Sequence, residues 1–146
     1  MKQYAFTDAQ FMSARAKTLV LKGWVRFFKN GMRFEDFSDR LYAHLINHCS
    51  FIAHYDRAGF YATYFESGEG TARFLSQFDK RGDCRSAEYG GSWWLSGDLE
   101  DLNRAMIEEA SPFIPALMPQ ALAEARECDL AEARRLAAKH GFEIRE

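Results

Sequence analysis

The chain has 146 residues, 47% hydrophobic and 27% charged, with a net charge of −2, a composition that fits one ordinary globular domain and excludes a disordered or collagen-like chain. Its three cysteines, Cys49, Cys84 and Cys128, are odd in number and far apart, which excludes a disulfide framework and a paired-cysteine zinc knuckle. No stretch approaches the roughly 20 apolar residues of a membrane span, and the first residues lack the apolar run of a signal peptide. The sequence therefore predicts a cytoplasmic protein without membrane association.

Apolar periodicity predicts an all-α fold, a compact helical bundle of five to six helices forming a single domain over residues 1–146. In chain order, Thr7-Asp8-Ala9-Gln10 fits a capping box, and Phe6 with Phe11 supplies the hydrophobic staple of a first helix. That helix is predicted to run from Thr7 to Lys29 and to stop at Asn30-Gly31. Gly23 inside it costs about 1 kcal/mol relative to Ala and marks a close helix contact or a local irregularity. The short connection from Asn30 to Arg33 folds a second helix back antiparallel, as a helical hairpin. The second helix, from Phe34 to Arg57 with Gly59 as its stop, carries Phe34, Phe37, Leu41, Leu45, His48, Ile52 and Tyr55 at three- and four-residue steps.

Phe60-Tyr61-Ala62-Thr63-Tyr64-Phe65 is short and aromatic, and periodicity leaves it as a strand or a tight helical turn, so a minor β-element within 60–95 stays open. Ser67-Gly68-Glu69-Gly70-Thr71 lacks the Lys of a Walker loop and the third Gly of a dinucleotide fingerprint, so it is predicted as a flexible connector. A short helix follows near Thr71–Asp79. Lys80 to Gly91 forms the longest loop, leading to the apolar Ser92-Trp93-Trp94-Leu95. In the last third, Asp98 is the predicted N-cap of a helix striped by Leu99, Leu102, Met106 and Ala110. Pro112, Pro115 and Pro119 break the chain, with Pro119 placed to start a helix, and Asp129 to Glu132 forms an acidic capping box for a final helix closed by His140-Gly141.

Charge is unevenly distributed. Residues 1–33 hold seven Lys/Arg against Asp8, a local charge of +6, whereas residues 96–132 hold nine acids against Arg104 and Arg126, a local charge of −7. Either a partner of one sign is implied, or the basic and acidic helices face each other. On a wheel of 100° per residue, Arg15, Lys22, Arg26 and Lys29 fall within about 60°, one basic stripe on an otherwise apolar first helix.

Candidate chemistry centres on His44 and His48, four residues apart and hence on one side of a helix. Two imidazoles so placed are weak candidate metal ligands, with no third ligand visible and no intervening Glu of a zinc protease; a hydrogen-bonded structural histidine explains them as well. With Tyr55 they could instead line a catalytic pocket, His as base and Tyr as proton donor. No catalytic motif is complete, and no cofactor signature is present. The sequence points first to a non-catalytic protein-binding or regulatory protein, such as a mobile-element inhibitor or modulator of a larger host complex. Its predicted surfaces are the stripe Arg15, Lys22, Arg26, Lys29 and the adjacent Trp93 and Trp94, which cannot both point inward easily. A small helical enzyme or metal-binding protein using His44, His48 and Tyr55 is the alternative, and nucleic-acid binding through the stripe the second. The 22 aromatic residues leave room for a homodimer with rings at its two-fold interface, and those between Phe60 and Trp94, which follow no helical stripe, are predicted to face a partner.

Overall fold

The computed structural model of this protein describes residues 2–49, 56–76 and 97–141. Among them are six α-helices and no strand: α1 (Ala14–Lys29), α2 (Asp39–His48), α3 (Arg57–Phe65), α4 (Gly68–Ser76), α5 (Glu100–Ala110) and α6 (Ile114–His140), with 3₁₀ turns at Phe34–Asp36 and Ser111–Phe113. The all-α prediction stands. None of these helices is long and apolar enough to cross a membrane.

The first helix starts seven residues later than predicted. Ser13, not Thr7, is its cap, with Oγ accepting from the Ala16 N–H at 3.1 Å, and Asp8 accepts from the Ala14 N–H at 2.8 Å. Thr7 instead donates its N–H and hydroxyl to Asp101 of α5, at 3.0 and 3.3 Å. A distant carboxylate thus takes over the groups that a local cap would use. Phe11 is 73% exposed, so the predicted staple does not form, and Phe6 stacks on Tyr4. The end of α1 follows the prediction, with Gly31 in the left-handed region at φ 81° and the Met32 N–H closing onto the Phe27 carbonyl at 2.7 Å.

The predicted helix from Phe34 to Arg57 is interrupted. Phe37 leaves the helical region at ψ 82°, and Ser38 restarts the chain as α2 by accepting from the Leu41 N–H at 3.1 Å. Arg57 braces this corner, donating to the Phe37 carbonyl at 2.7 Å and pairing with Asp39 at 3.1 Å, its guanidinium 4.3 Å from the Phe34 ring centre. Ile52 and Tyr55 lie outside the described residues. A new cap, Asp56, accepts from the Gly59 N–H at 2.7 Å and opens α3, so Phe60 to Phe65 is helix and not strand.

The core joins a cluster of aromatic rings to aliphatic residues such as Leu21, Leu41, Leu45 and Leu102. Trp24, Phe27, Phe37, Phe60 and Phe74 have no exposed surface. Phe37 stacks on Phe60 at 5.5 Å, and Phe65 meets Phe27 and Phe74 edge to face at 4.9 and 4.6 Å, geometries worth roughly 0.5–1.5 kcal/mol per pair beyond area burial. The Trp24 indole donates to the Met106 carbonyl at 2.8 Å, tying α1 to α5. Phe60, Tyr64 and Phe74 are buried and Phe65 half-buried, which corrects for these rings the expectation that those between Phe60 and Trp94 face a partner; Phe78, Tyr89, Trp93 and Trp94 lie outside the described residues. Their periodicity was obscured because α3 and α4 are each only nine residues long.

The Ser67 to Thr71 segment is also not a flexible connector. Gly68 opens α4, and a Cβ there would collide with the Ala121 carbonyl and sit 2.9 Å from Glu124 Cβ on α6. The backbones of α4 and α6 touch at this point, which only glycine permits. A Cβ at Gly23 would meet only Ser38 Oγ, at an ordinary 3.7 Å, so the close helix contact lies at Gly68 and not at Gly23. Gly68→Ala is expected to destabilise the fold by about 1–3 kcal/mol, because backbone cannot yield as a side chain does. Chemical denaturation checks this; an unchanged midpoint would show that α4 and α6 stand further apart.

The prolines do not separate the last helices. Ala110, Ser111, Phe113 and Ile114 all keep right-handed helical dihedrals, so α5 passes into α6 through a 3₁₀ turn at Pro112. Helix α6 begins with Pro115 in its first turn and holds Pro119 in its interior, and it runs unbroken through Asp129 to Glu132. The predicted helix starts at Pro119 and Asp129 are therefore not used: a chain that already has helical dihedrals leaves no free N–H groups for a cap to satisfy. Asp98 does not cap α5 through its side chain either; the N-cap is Leu99. The predicted stop at Gly141 is present, left-handed at φ 76°.

Candidate partner-binding surface

The apolar face of α1 packs inward through Val20, Leu21, Trp24, Phe27 and Phe28. This burial turns the opposite face to solvent, where Arg15, Lys22, Arg26 and Lys29 are all exposed. The remaining basic residues of positions 1–33 are paired: Lys2 with Glu108 at 3.1 Å, Lys17 with Asp101 at 2.8 Å and Arg33 with Asp36 at 2.9 Å. Arg15, Lys22, Arg26 and Lys29 form no ion pair among the described residues. The basic and acidic regions do meet, but through Lys2 and Lys17; the stripe faces away.

Lys17 was missed as an individual residue. It lies opposite Arg15 on the wheel, between Trp24 and Leu21, and its side chain is fully buried with Nζ also donating to the Asp98 carbonyl at 2.9 Å. A lysine in the middle of an apolar face was the available signal, since a buried ammonium requires a carboxylate. Asp101 answers it. Burial pushes that carboxyl up, but hydrogen bonds from Lys17, Thr7 and Leu102, with the Lys17 charge, outweigh burial and hold it below its ordinary value.

Beside the stripe lie two open cavities that share Lys22. One, about 370 Å³, is lined by Lys22, Val25, Arg26, Lys29 and Asn30. The other, about 330 Å³, lies between α1 and the N-terminal segment, against Tyr4, Phe6, Thr18 and Leu21. Tyr4 and Phe6 stack with ring centres 5.7 Å apart, and Lys2 sits 5.6 Å from the Tyr4 ring. The phenol of Tyr4 is pushed up by burial and then by the charges of Glu109 and Glu108, so it stays protonated and donates to Glu109 at 3.2 Å.

The histidines are placed differently from the prediction. His44, outside the predicted apolar stripe, is 2% exposed, whereas His48, within that stripe, is half-buried. Helix α2 buries Leu41, His44 and Leu45, and His48 is its last residue. His44 Nε2 lies 2.8 Å from Asn103 Oδ1, and Asn103 Nδ2 donates to the His48 carbonyl at 3.4 Å. This orientation of Asn103 makes Nε2 the protonated nitrogen of His44, leaving Nδ1 without a hydrogen-bond partner among the described residues. Burial lowers the His44 pKa to about 4, against the Asn103 hydrogen bond and with a small contribution from His48, and burial lowers that of His48 too. The two rings lie 5.4 Å apart, and Cys49, its thiol pushed up by burial, is 3.7 Å from Asn103 Oδ1. Among the described residues no three His, Cys, Asp or Glu side chains come together in an arrangement that could hold a metal ion. Tyr55, Trp93 and Trp94 lie outside the described residues.

The fold and surface together define an all-α protein with an aromatic-rich core and an exposed basic helix face that forms no ion pair among the described residues. No protein-family model matches the chain, and no curated protein or solved structure is detectably similar to it.

Proposed function

We propose that this is a non-catalytic, regulatory binding protein that engages an acidic protein partner through the exposed face of α1. The observation that carries this reading is the division of the basic residues: among the described residues Lys2, Lys17 and Arg33 pair with carboxylates, and Arg15, Lys22, Arg26 and Lys29 form no ion pair. Like charges on one helix face repel one another, and only Arg26 and Lys29, in the last turn of α1, gain from the helix dipole. Placed against a complementary surface they steer association and fix its register.

The test is co-purification from the native host of the wild-type chain and of a Lys22→Glu/Arg26→Glu/Lys29→Glu variant. All three positions are exposed, and with Arg26 and Lys29 in the last turn of α1 each substitution should cost no more than about 1 kcal/mol. The expected result is a protein bound by the wild type and lost from the folded variant. An unchanged set of bound proteins would overturn the proposal, and nuclease-sensitive capture of nucleic acid would replace it with the polyanion reading.

A further inference from the structure

We infer that the occupant of this face is a helix of another protein with carboxylates repeated every seven residues; the inference rests on the binding reading above. The stripe is periodic as well as basic. Arg15, Lys22 and Lys29 stand seven residues apart, two helical turns and about 10 Å along the axis. Between them, Thr18 and Val25, both half-buried, complete the sequence 15, 18, 22, 25, 29, with alternating steps of three and four residues. That is the spacing of a coiled-coil seam, and a second helix laid along α1 at a shallow angle stays in register with it for several turns. Here one row of the seam is cationic, so a matching helix presents Glu or Asp at i, i+7 and i+14, with apolar residues facing Val25 and Thr18. The two cavities joined at Lys22 lie along this line.

Charge complementarity also selects against the other occupants. A nucleic acid carries charge continuously, one phosphate per ~3.4 Å of axis on each strand, with no preference for ~10 Å intervals. A second copy of the chain does not supply the required face. In the whole sequence Asp101 and Glu108 are the one pair of acids seven residues apart, and both are already bound, to Lys17 and Lys2.

The inference is tested by fluorescence anisotropy with two labelled peptides of about 21 residues and identical composition. One carries Glu at i, i+7 and i+14 beside Leu at the intervening seam positions; in the other the same residues are permuted so that the carboxylates spiral around the helix. A single-stranded oligothymidylate is the third probe. The heptad peptide is expected to bind at least roughly tenfold more tightly than the permuted one, to weaken as salt rises, and to lose roughly tenfold in affinity for Lys22→Glu/Lys29→Glu. A heptad peptide with Gln for Glu, titrated against the wild-type protein, gives the same reading without altering the fold and should bind as weakly as the permuted one. Equal binding of the heptad and permuted peptides, or tighter binding of the oligothymidylate, overturns the inference. If a host protein is nevertheless captured in a charge-dependent way, the binding function stands and only the heptad helix is wrong.

Discussion

Asp101→Ala is expected to lower the unfolding free energy by about 3–5 kcal/mol, the usual cost of leaving a buried charge without its partner. The Lys17 side chain has no exposed surface, and without Asp101 its ammonium keeps only the Asp98 carbonyl at 2.9 Å. The same substitution frees the Thr7 N–H and hydroxyl and the Leu102 N–H, loosening the N-terminal segment from α5. Lys17→Met should cost much less. It removes the buried charge itself, fills similar volume, and leaves a carboxylate that is 31% exposed and open to water. Urea denaturation of the two variants checks the order; a Lys17→Met protein as unstable as Asp101→Ala would show that the pair acts by packing and not by charge. Because the folded pKa of Asp101 is lowered, the stability from this pair is present above its ordinary value of 3.8 and is lost as pH falls through the folded value.

A second loss of stability is expected at milder acidity, and it belongs to His44. In the unfolded chain this imidazole takes a proton near 6.5, whereas in the fold burial keeps it neutral until about pH 4. Above pH 6.5 both states are neutral and His44 adds no pH dependence. Between 6.5 and 4 the unfolded state binds a proton that the folded state refuses, so stability falls with falling pH, by about 3 kcal/mol over the whole window. His48, also lowered by burial, adds a smaller loss of the same sign. His44→Gln, which keeps a donor for Asn103 Oδ1, is expected to be less stable at neutral pH but to lose most of this slope. Urea midpoints measured across the window for both proteins decide it; an undiminished slope in the variant would place the titrating group elsewhere.

Those two groups also show why the sequence alone was insufficient. The two-histidine pattern identified His44 and His48 but ranked them in the wrong order, because the ranking assumed one helix from Phe34 to Arg57. Ser38 is a strong cap by type, and Arg57 holds the break from 19 residues further along the chain, on Phe37 and Asp39; the first is a local signal, the second is not. Thr7 failed as a cap for the same reason, since nothing near it in sequence reveals that Asp101 will accept its N–H. Ser67-Gly68-Glu69-Gly70-Thr71 read as a connector because two glycines in five residues usually give a flexible chain. The backbone of α6 passing against Gly68 gives them a packing purpose instead. The basic stripe was legible because it depends only on the helical period and on which face of α1 is apolar.

The sequence by itself determined the all-α class, the inward face of α1, the left-handed stops at Gly31 and Gly141, and the alignment of Arg15, Lys22, Arg26 and Lys29. All of these follow from interactions within a few residues, where helical period and backbone sterics fix the outcome. Only the tertiary structure decided where helices start when a distant group competes for their caps, which histidine is buried, which rings form the core and which of the basic residues are neutralised. Each of those depends on a contact between residues tens of positions apart, as with Lys17 and Asp101 or His44 and Asn103. No local pattern encodes such a contact, because its energy arises only when separate helices remove the same groups from water.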